Sequence, residues 1–176
     1  MKRLIMIGMI CLLVFMAGCS KPTESVSETS STASSENSTT TEAPDVVDGY
    51  LLVIDHLVNY SSGIVSSDKY LAIDTSKMVN LTPDDQARLI KALEKYKLQV
   101  LNKTRDELEK EGYMQGWRIE NGLFIIIEDK KMDSNSITMD ASRYRDGYHA
   151  YGLLDFRIRF ICGHWEMADI NITWVA

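Results

Sequence analysis

Residues 153–162 read LLDFRIRFIC, and this stretch has the clearest strand pattern in the 176-residue chain. Its apolar positions are Leu154, Phe156, Ile158 and Phe160, and the charged positions between them are Asp155, Arg157 and Arg159. Successive side chains of a strand point to opposite faces of a sheet, so this period of two predicts one buried and one solvent-facing side. Such a strand is typical of an antiparallel sheet.

The stretches on both sides extend this prediction. Gly163 follows directly and favours a tight hairpin turn, after which WEMADINITWVA at 165–176 predicts a last strand. Upstream, GLFIIIED at 122–129 and SITMDA at 136–141 carry β-branched or alternating apolar residues. Together these segments predict a run of strands in the second half of the chain.

Helices are predicted before these strands. Residues 49–60, GYLLVIDHLVNY, follow Asp48 and have helical spacing, although the run Leu51–Ile54 also fits a strand. The next helix has the strongest start signal, because Thr82 is a good N-cap and Pro83 suits the first helical position. Its apolar face is expected to consist of Leu89, Ile90, Leu93 and Tyr96.

A third helix and two short strands complete the pattern. Thr104 and Glu107 have the spacing of a capping box, and Gly112 is placed to end the short helix that follows. Short strands are predicted at 69–74 and 98–101. The order predicts an α+β fold, with N-terminal helices packed on one face of a curved, mainly antiparallel sheet of about 4–6 strands that ends in a C-terminal hairpin.

The first 18 residues are typical of an export signal. Lys2 and Arg3 are followed by an apolar run from Leu4 to Met16 and by the small residues Ala17 and Gly18. That run is shorter than the roughly 20 residues that a helix needs to span a bilayer. We therefore expect residues 1–18 to be a signal peptide.

The end of this segment, Met16-Ala17-Gly18-Cys19, resembles the lipobox of bacterial lipoproteins. The resemblance implies that Cys19 receives a diacylglyceryl group, that the signal is cut before it, and that the chain is anchored to the cell membrane and faces outside the cytoplasm. Acyl chains contribute about 0.8 kcal/mol per buried CH₂, and stable anchoring takes two of them.

Residues 19–45 are expected to be a lipid-anchored, disordered tether. Fourteen of the 26 residues from 20 to 45 are Ser or Thr, and none is a large apolar residue. Such a coil would reach roughly 28 Å r.m.s.. The remaining segment, 46–176, is long enough for a single globular domain.

Charge and cysteine content limit the partners. The chain has a net charge of −6, and segment 46–176 carries 16 basic against 20 acidic residues. This balance argues against a nucleic-acid partner, and we expect the membrane contact to run through the acyl chains of Cys19. Cys11 leaves with the signal, so only Cys162 would remain as a thiol and no intrachain disulfide is expected.

The segment 69–176 resembles a set of small lipoproteins and secreted proteins of Gram-positive bacteria. The resemblance rests on Ala72-Ile73-Asp74-Thr75 followed by Leu81-Thr82, and on the C-terminal residues Gly147, Gly152, Trp165 and Trp174. It implies the same extracytoplasmic location. It transfers no catalytic residues.

A search for catalytic and metal-binding motifs gives no site. The chain has no Gly-x-Ser-x-Gly elbow and no His-Glu-x-x-His motif. The three histidines, His56, His149 and His164, are far apart in sequence, so no metal site and no cofactor are expected.

One segment predicts a binding surface. Residues 143–151, RYRDGYHAY, concentrate aromatic and cationic side chains between two strands. The candidate patch consists of Arg143, Arg145, Tyr148, His149 and Tyr151. The alternative is a plain strand connection whose tyrosines cap the sheet.

These features predict a membrane-anchored, non-enzymatic domain that binds a protein, peptide or envelope component. A small envelope-directed hydrolase that uses His149 as a general base is one alternative. A structural or stress-related lipoprotein without a discrete site is the other. A cleft with His149 bonded to a carboxylate would favour the enzyme, and an open sheet face lined with aromatic rings would favour binding.

Overall fold

A computed structural model describes residues 43–61, 63–146, 148–170 and 172–176. The predicted signal peptide at 1–18, Cys19 and the tether up to residue 42 lie outside these ranges. The helices are α1 (Val46–Asn59), α2 (Pro83–Ala92), which continues as a 3₁₀ turn over Leu93–Tyr96, and α3 (Arg105–Lys110). The strands are β1 (Tyr70–Asp74), β2 (Gln99–Asn102), β3 (Met114–Gln115), β4 (Arg118–Ile119), β5 (Gly122–Asp133), β6 (Ser136–Tyr144), β7 (Ala150–Ile161), β8 (His164–Met167) and β9 (Ile172–Val175).

Seven of the strands form one sheet in the order β2-β1-β5-β6-β7-β8, with β9 also paired to β7. The α+β prediction with a mainly antiparallel sheet is confirmed, since most of the pairings are antiparallel, but the sheet has seven strands where about 4–6 were predicted. One part was not predicted: β1 runs parallel to both β2 and β5. Parallel neighbours need crossover connections, and the segments that carry α2 and α3 provide them.

The predicted helix starts agree with the structure at two of three places. Thr82 and Thr104 each accept a hydrogen bond from the backbone of the third helical residue, and the side chain of that residue bonds back to complete a capping box. The prediction for α1 was wrong by three residues. Asp45 rather than Asp48 caps it, with Oδ1 accepting from the Val47 N–H at 3.0 Å.

A bulge in β7 changes which side chains of the stretch 153–162 face the core. Asp155 has φ of +49°, and the register between β6 and β7 shifts beside it. Leu153 is therefore fully buried with Phe156 and Ile158, whereas Leu154 turns to the other face. The assignment of Leu154 to the buried side was wrong, because the extra residue reverses the alternation.

The predicted last strand at 165–176 is two strands. β8 and β9 lie end to end along one edge of β7, with Ile158 opposite Met167 and Leu154 opposite Ile172. The edge is interrupted where the bulge shifts the register. The hairpin turn before β8 was predicted correctly: Cys162 and Gly163 both have positive φ, of 51° and 87°, as a two-residue turn requires.

Two buried clusters lie on opposite sides of the sheet. Ile125 and Ile127 belong to a large cluster that also contains buried residues of α1 and α2. Phe124 and Ile126 alternate with them along β5 and belong to a smaller cluster with Leu108 of α3. The smaller cluster extends over only part of its side, which leaves the rest of that sheet surface open.

Candidate functional site

Two of the five residues of the predicted patch are inside the domain. Arg143 is 3% exposed, and its guanidinium donates to the carbonyls of Leu57 and Tyr60 at 3.3 and 2.8 Å. Tyr151 is also 3% exposed and stacks on Tyr60, with 3.7 Å between the ring centroids. Both side chains hold the end of α1 against the sheet.

A third patch residue, Arg145, forms an ion pair with a buried carboxylate. Its Nη1 lies 2.6 Å from Oδ1 of Asp68, whose side chain is fully buried. Burial alone would raise the pKa of Asp68, but the hydrogen bonds from Arg145 and from the Val65 N–H outweigh it and lower that pKa. Arg145 also donates to the Gly63 carbonyl and so fixes the loop between α1 and β1.

The remaining two patch residues are exposed. Tyr148 is 86% exposed, and the His149 ring is exposed beside Asp146, with Nδ1 3.0 Å from Oδ1. The same carboxylate accepts from the backbone N–H groups of Tyr148 and His149, so it also forms the turn. The structure therefore does not bring the five residues together on one surface.

A different surface has the properties of a binding site. It lies on the open part of the sheet, and we call it the open-face groove. Its volume is about 330 Å³. It is lined by Lys77, Ile126, Glu128, Asp140, Ala141, Ser142, Tyr144, Leu153, Leu154 and Trp174.

Aromatic rings form a continuous strip along this surface. Tyr144 stacks on Trp117 with 4.5 Å between the ring centroids, and its centroid lies 5.9 Å from that of Trp174. Trp117 is 41% exposed, and the guanidinium of Arg105 lies over its ring at 4.3 Å. The strip consists of Trp117, Tyr144 and Trp174, and it extends the groove toward α3.

Trp174 packs closely against the sheet because Gly152 has no side chain. These two residues are directly opposite in the pairing of β7 with β9. A Cβ atom at position 152 would come within 2.3 Å of the indole ring. Glycine therefore permits the close approach of the indole ring, which is part of the groove lining.

The charged side chains of the groove are paired with one another. Lys77 Nζ lies 2.6 Å from Glu128 Oε2, and Lys130 Nζ lies 2.9 Å from Asp140 Oδ1. All four side chains remain partly exposed, between 30% and 54%. Lys130 lies next to the groove rather than in its lining, and its Nζ also lies 2.6 Å from Asp155 Oδ1, so two carboxylates share this ammonium group.

A buried polar cluster holds the Lys77 loop in place. Asp129 Oδ2 accepts from the Tyr50 hydroxyl at 2.5 Å and from the Asn80 side-chain amide at 2.8 Å, while the Asp129 N–H donates to the Lys77 carbonyl at 3.2 Å. Burial and the bond to Asp129 raise the pKa of Tyr50 far above its usual range. Oδ1 of Asp129 is buried and has no hydrogen-bond partner within the described ranges.

Comparison with known proteins gives no further guide, since no protein-family model, curated protein or solved structure matches this chain. In the part of the chain that the structure describes, no cluster of three or more His, Cys, Asp or Glu side chains is arranged to hold a metal ion. Within the same part, no helix has the length and apolar character needed to cross a membrane.

Sequence reasoning missed the groove. In the sequence, Trp174 contributes only to the C-terminal resemblance, and Tyr144 only to the 143–151 segment. The available signal was Gly152, directly before the predicted strand 153–162, together with Trp174 in the predicted last strand, because a glycine at a strand often marks a close approach.

Proposed function

We propose that this protein is a lipid-anchored extracytoplasmic domain that binds a component of the cell envelope in the open-face groove, without catalysing a reaction. Cys19 provides the membrane anchor in this proposal. In this proposal α1 and α2 pack on one face of the sheet, and the groove on the other face, beside α3, is the functional surface. The observation that carries the proposal is the partly exposed aromatic strip of Trp117, Tyr144 and Trp174.

The groove supports this function better than the cavity beside Asp68 and Arg145 does. Aromatic side chains contribute large apolar contact areas and have few rotatable bonds to fix on binding, which is why they are enriched at binding hot spots. Nearby Glu128, Asp140 and Ser142 can orient a ligand through hydrogen bonds. The cavity beside Asp68 and Arg145, of about 270 Å³, is instead lined almost wholly by polar residues.

The start of the described chain is compatible with this arrangement. The Asp45 carbonyl accepts from Nε1 of Trp165 at 2.7 Å, and Trp165 belongs to the large cluster that contains Ile125 and Ile127. The groove lies on the side of Ile126. Asp45, the last residue of the proposed tether, therefore lies on the side of the sheet away from the groove.

The test is binding to isolated cell envelopes. Full-length wild type should sediment with them, and Trp174→Ala should weaken this binding by about 2 kcal/mol, or roughly 30-fold, if the ring is an anchor. Tyr148→Ala is the matched control, because it removes an exposed aromatic ring elsewhere. Loss of binding in Tyr148→Ala with full binding in Trp174→Ala would contradict the groove and favour the 143–151 segment.

A hydrolase that uses His149 is the second proposal, and the contact between His149 and Asp146 is the observation that favours it. Burial alone would raise the pKa of Asp146, but hydrogen bonds from Tyr148 and His149 outweigh it and lower that pKa, so the carboxylate is ionised beside the ring. Hydrolysis of envelope material that His149→Gln abolishes would support the enzyme. A third proposal, a structural or stress-related role without a site, predicts neither binding nor hydrolysis.

A further inference from the structure

We propose that a groove between α1 and β8 binds an extended segment of a second protein, which adds to the sheet as a strand beside β8. This surface lies on the side of the large cluster, away from the open-face groove, so the inference goes beyond the proposed function. It is carried by the open backbone edge of β8, by the apolar floor of the groove, and by the carboxylate of Asp48 at its rim.

Strand β8 has backbone groups that point away from the sheet. It pairs with β7 on one side, and within the described ranges no strand pairs with its other side. Facing residues of antiparallel strands alternate between hydrogen-bonded and non-bonded pairs. The Ala168 N–H donates to the Arg157 carbonyl at 2.8 Å, so the next pair, Ile158 with Met167, is a non-bonded one. Trp165 lies two residues from Met167 and has the same phase, so the N–H and C=O groups of both residues point outward.

The groove lies between this strand and α1, because both elements contribute to its lining. It consists of two adjoining cavities of about 360 and 510 Å³ that share Leu52 and Asp55. Along α1 it extends from Asp48 to Tyr60, a rise of about 18 Å, which corresponds to about five or six extended residues. The apolar residues of its floor pack against the large cluster and are Leu51, Leu52, Phe160 and Met167.

The chemistry of the groove defines the segment that fits it. Asp48 is exposed and has no ion-pair partner in the described part of the chain, whereas Asp55 is paired with Lys95 at 2.7 Å. An added strand turns every second side chain toward α1. The segment should therefore carry apolar residues at these positions and a Lys or Arg at the end that lies near Asp48. Main-chain hydrogen bonds to β8 give such strand addition its affinity, and the side chains in the groove give it specificity.

The tether of the chain itself has the wrong composition for this groove. Residues 20–42 contain four Glu and one Lys, and their only aliphatic side chains besides Pro22 are Val26 and Ala33. The acidic groups would be repelled by Asp48, and the few small apolar residues would leave the floor uncovered. This comparison favours a segment of a second protein.

Fluorescence anisotropy of labelled peptides tests the inference on the full-length protein in detergent. The probes are the nonapeptides GKTVTVTVG and GVTVTVTKG, which place Lys at either end because the strand can run in two directions. We expect saturable binding of at least one of them, and at least threefold weaker binding when its Lys is replaced by Glu. N-methylation of all Val nitrogens and of all Thr nitrogens separates the two edges of the peptide. One set should weaken binding at least tenfold and the other less than threefold, since only one edge faces β8.

Protein variants locate the peptide. Asp48→Lys should weaken binding of the Lys peptide at least threefold and strengthen that of the Glu peptide. Asp84→Lys is the matched control, because Asp84 is an exposed carboxylate in the first turn of α2 and should have no effect. In NMR spectra the peptide should shift the indole N–H signal of Trp165, which lines the groove, and leave those of Trp117 and Trp174 in place.

Four results would overturn the inference. They are binding of neither Lys peptide, equal effects of the two N-methylated sets, equal effects of Asp48→Lys and Asp84→Lys, and a shift of Trp117 or Trp174 without Trp165. Sedimentation equilibrium tests a second copy of this chain as the occupant. We expect no dimer that depends on this edge, and a dimer that Leu52→Gln dissociates would assign the groove to a second copy instead.

Discussion

Tyr148 and Tyr151 lie three positions apart but have opposite environments. Tyr151 is buried, stacks on Tyr60 and has its hydroxyl 3.2 Å from Nε2 of His56, whereas Tyr148 is almost fully exposed. We expect Tyr151→Ala to lower the free energy of unfolding by about 3–5 kcal/mol, as for other large buried rings. Tyr148→Ala should change it by less than about 0.5 kcal/mol.

Urea unfolding of the two variants checks this difference. Tyr151→Phe is the matched control, since it keeps the stacked ring and loses only the hydroxyl contact with His56. Equal stability of the two alanine variants would contradict the buried position of Tyr151.

Asp129 predicts a pH-dependent contribution to stability. Burial raises its pKa, although the hydrogen bonds from Tyr50 and Asn80 oppose the rise. Between the unfolded-state pKa of about 4 and the raised folded-state value, the folded protein binds the proton more tightly. The stability that protonated Asp129 contributes is therefore lost as pH rises through the folded-state pKa.

Asp129→Asn does not ionise and isolates this effect. The free energy of unfolding of the variant relative to wild type should increase as the pH rises from about 4 through the folded-state pKa. Urea titrations at several pH values between 4 and 8 measure the difference. A difference that stays level or decreases with pH would show that the folded-state pKa of Asp129 is not raised.

At the scale of elements, the bulge in β7 decides which leucine supports the core. Leu153 is fully buried in the large cluster, whereas Leu154 is only half-buried and belongs to neither cluster. Leu153→Ala should cost about 2–5 kcal/mol in the free energy of unfolding, and Leu154→Ala clearly less. Thermal unfolding of the pair tests the register, and a larger loss in Leu154→Ala would place the bulge elsewhere.

Strand β7 also shows which features could be predicted from the sequence and which could not. The Thr82 and Thr104 caps and the Cys162-Gly163 turn were predicted because the atoms that form them lie within a few residues of one another. The bulge at Asp155 could not be predicted, because the apolar and polar pattern of one strand does not show which of its residues lacks a partner on the neighbouring strand. The parallel pairing of β1 with β5 joins residues about fifty positions apart and leaves no local signal.

The groove is a product of such distant pairings. Trp117 lies before β5, Tyr144 ends β6 and Trp174 lies in β9. A window of about 18 residues, the usual length for reading periodicity, therefore never contains more than one of them. The 143–151 segment could be recognised as unusual. Arg143 and Tyr151 are buried because the end of α1 packs over them. The sequence of the segment gives no sign of this packing.

At the scale of the whole molecule, the proposal needs both an anchor and a binding surface. Replacing Cys19 by Ser should block acylation and leave an unprocessed, mislocalised precursor, because the thiol is the proposed attachment point of the lipid. Incorporation of radiolabelled palmitate, followed by membrane fractionation, measures this. Equal labelling of wild type and variant would contradict the lipoprotein assignment.

The three tryptophans of the chain allow a direct test of the proposal that the ligand binds on the open side of the sheet. Each indole N–H gives one NMR signal, and single Trp→Phe variants assign the signals of Trp117, Trp165 and Trp174. Trp165 serves as an internal reference, since its N–H is bonded to the Asp45 carbonyl on the other side of the sheet. On addition of solubilised envelope material, the signals of Trp117 and Trp174 should shift while that of Trp165 stays in place. A shift of the Trp165 signal alone, or saturable binding that moves none of the three, would contradict it.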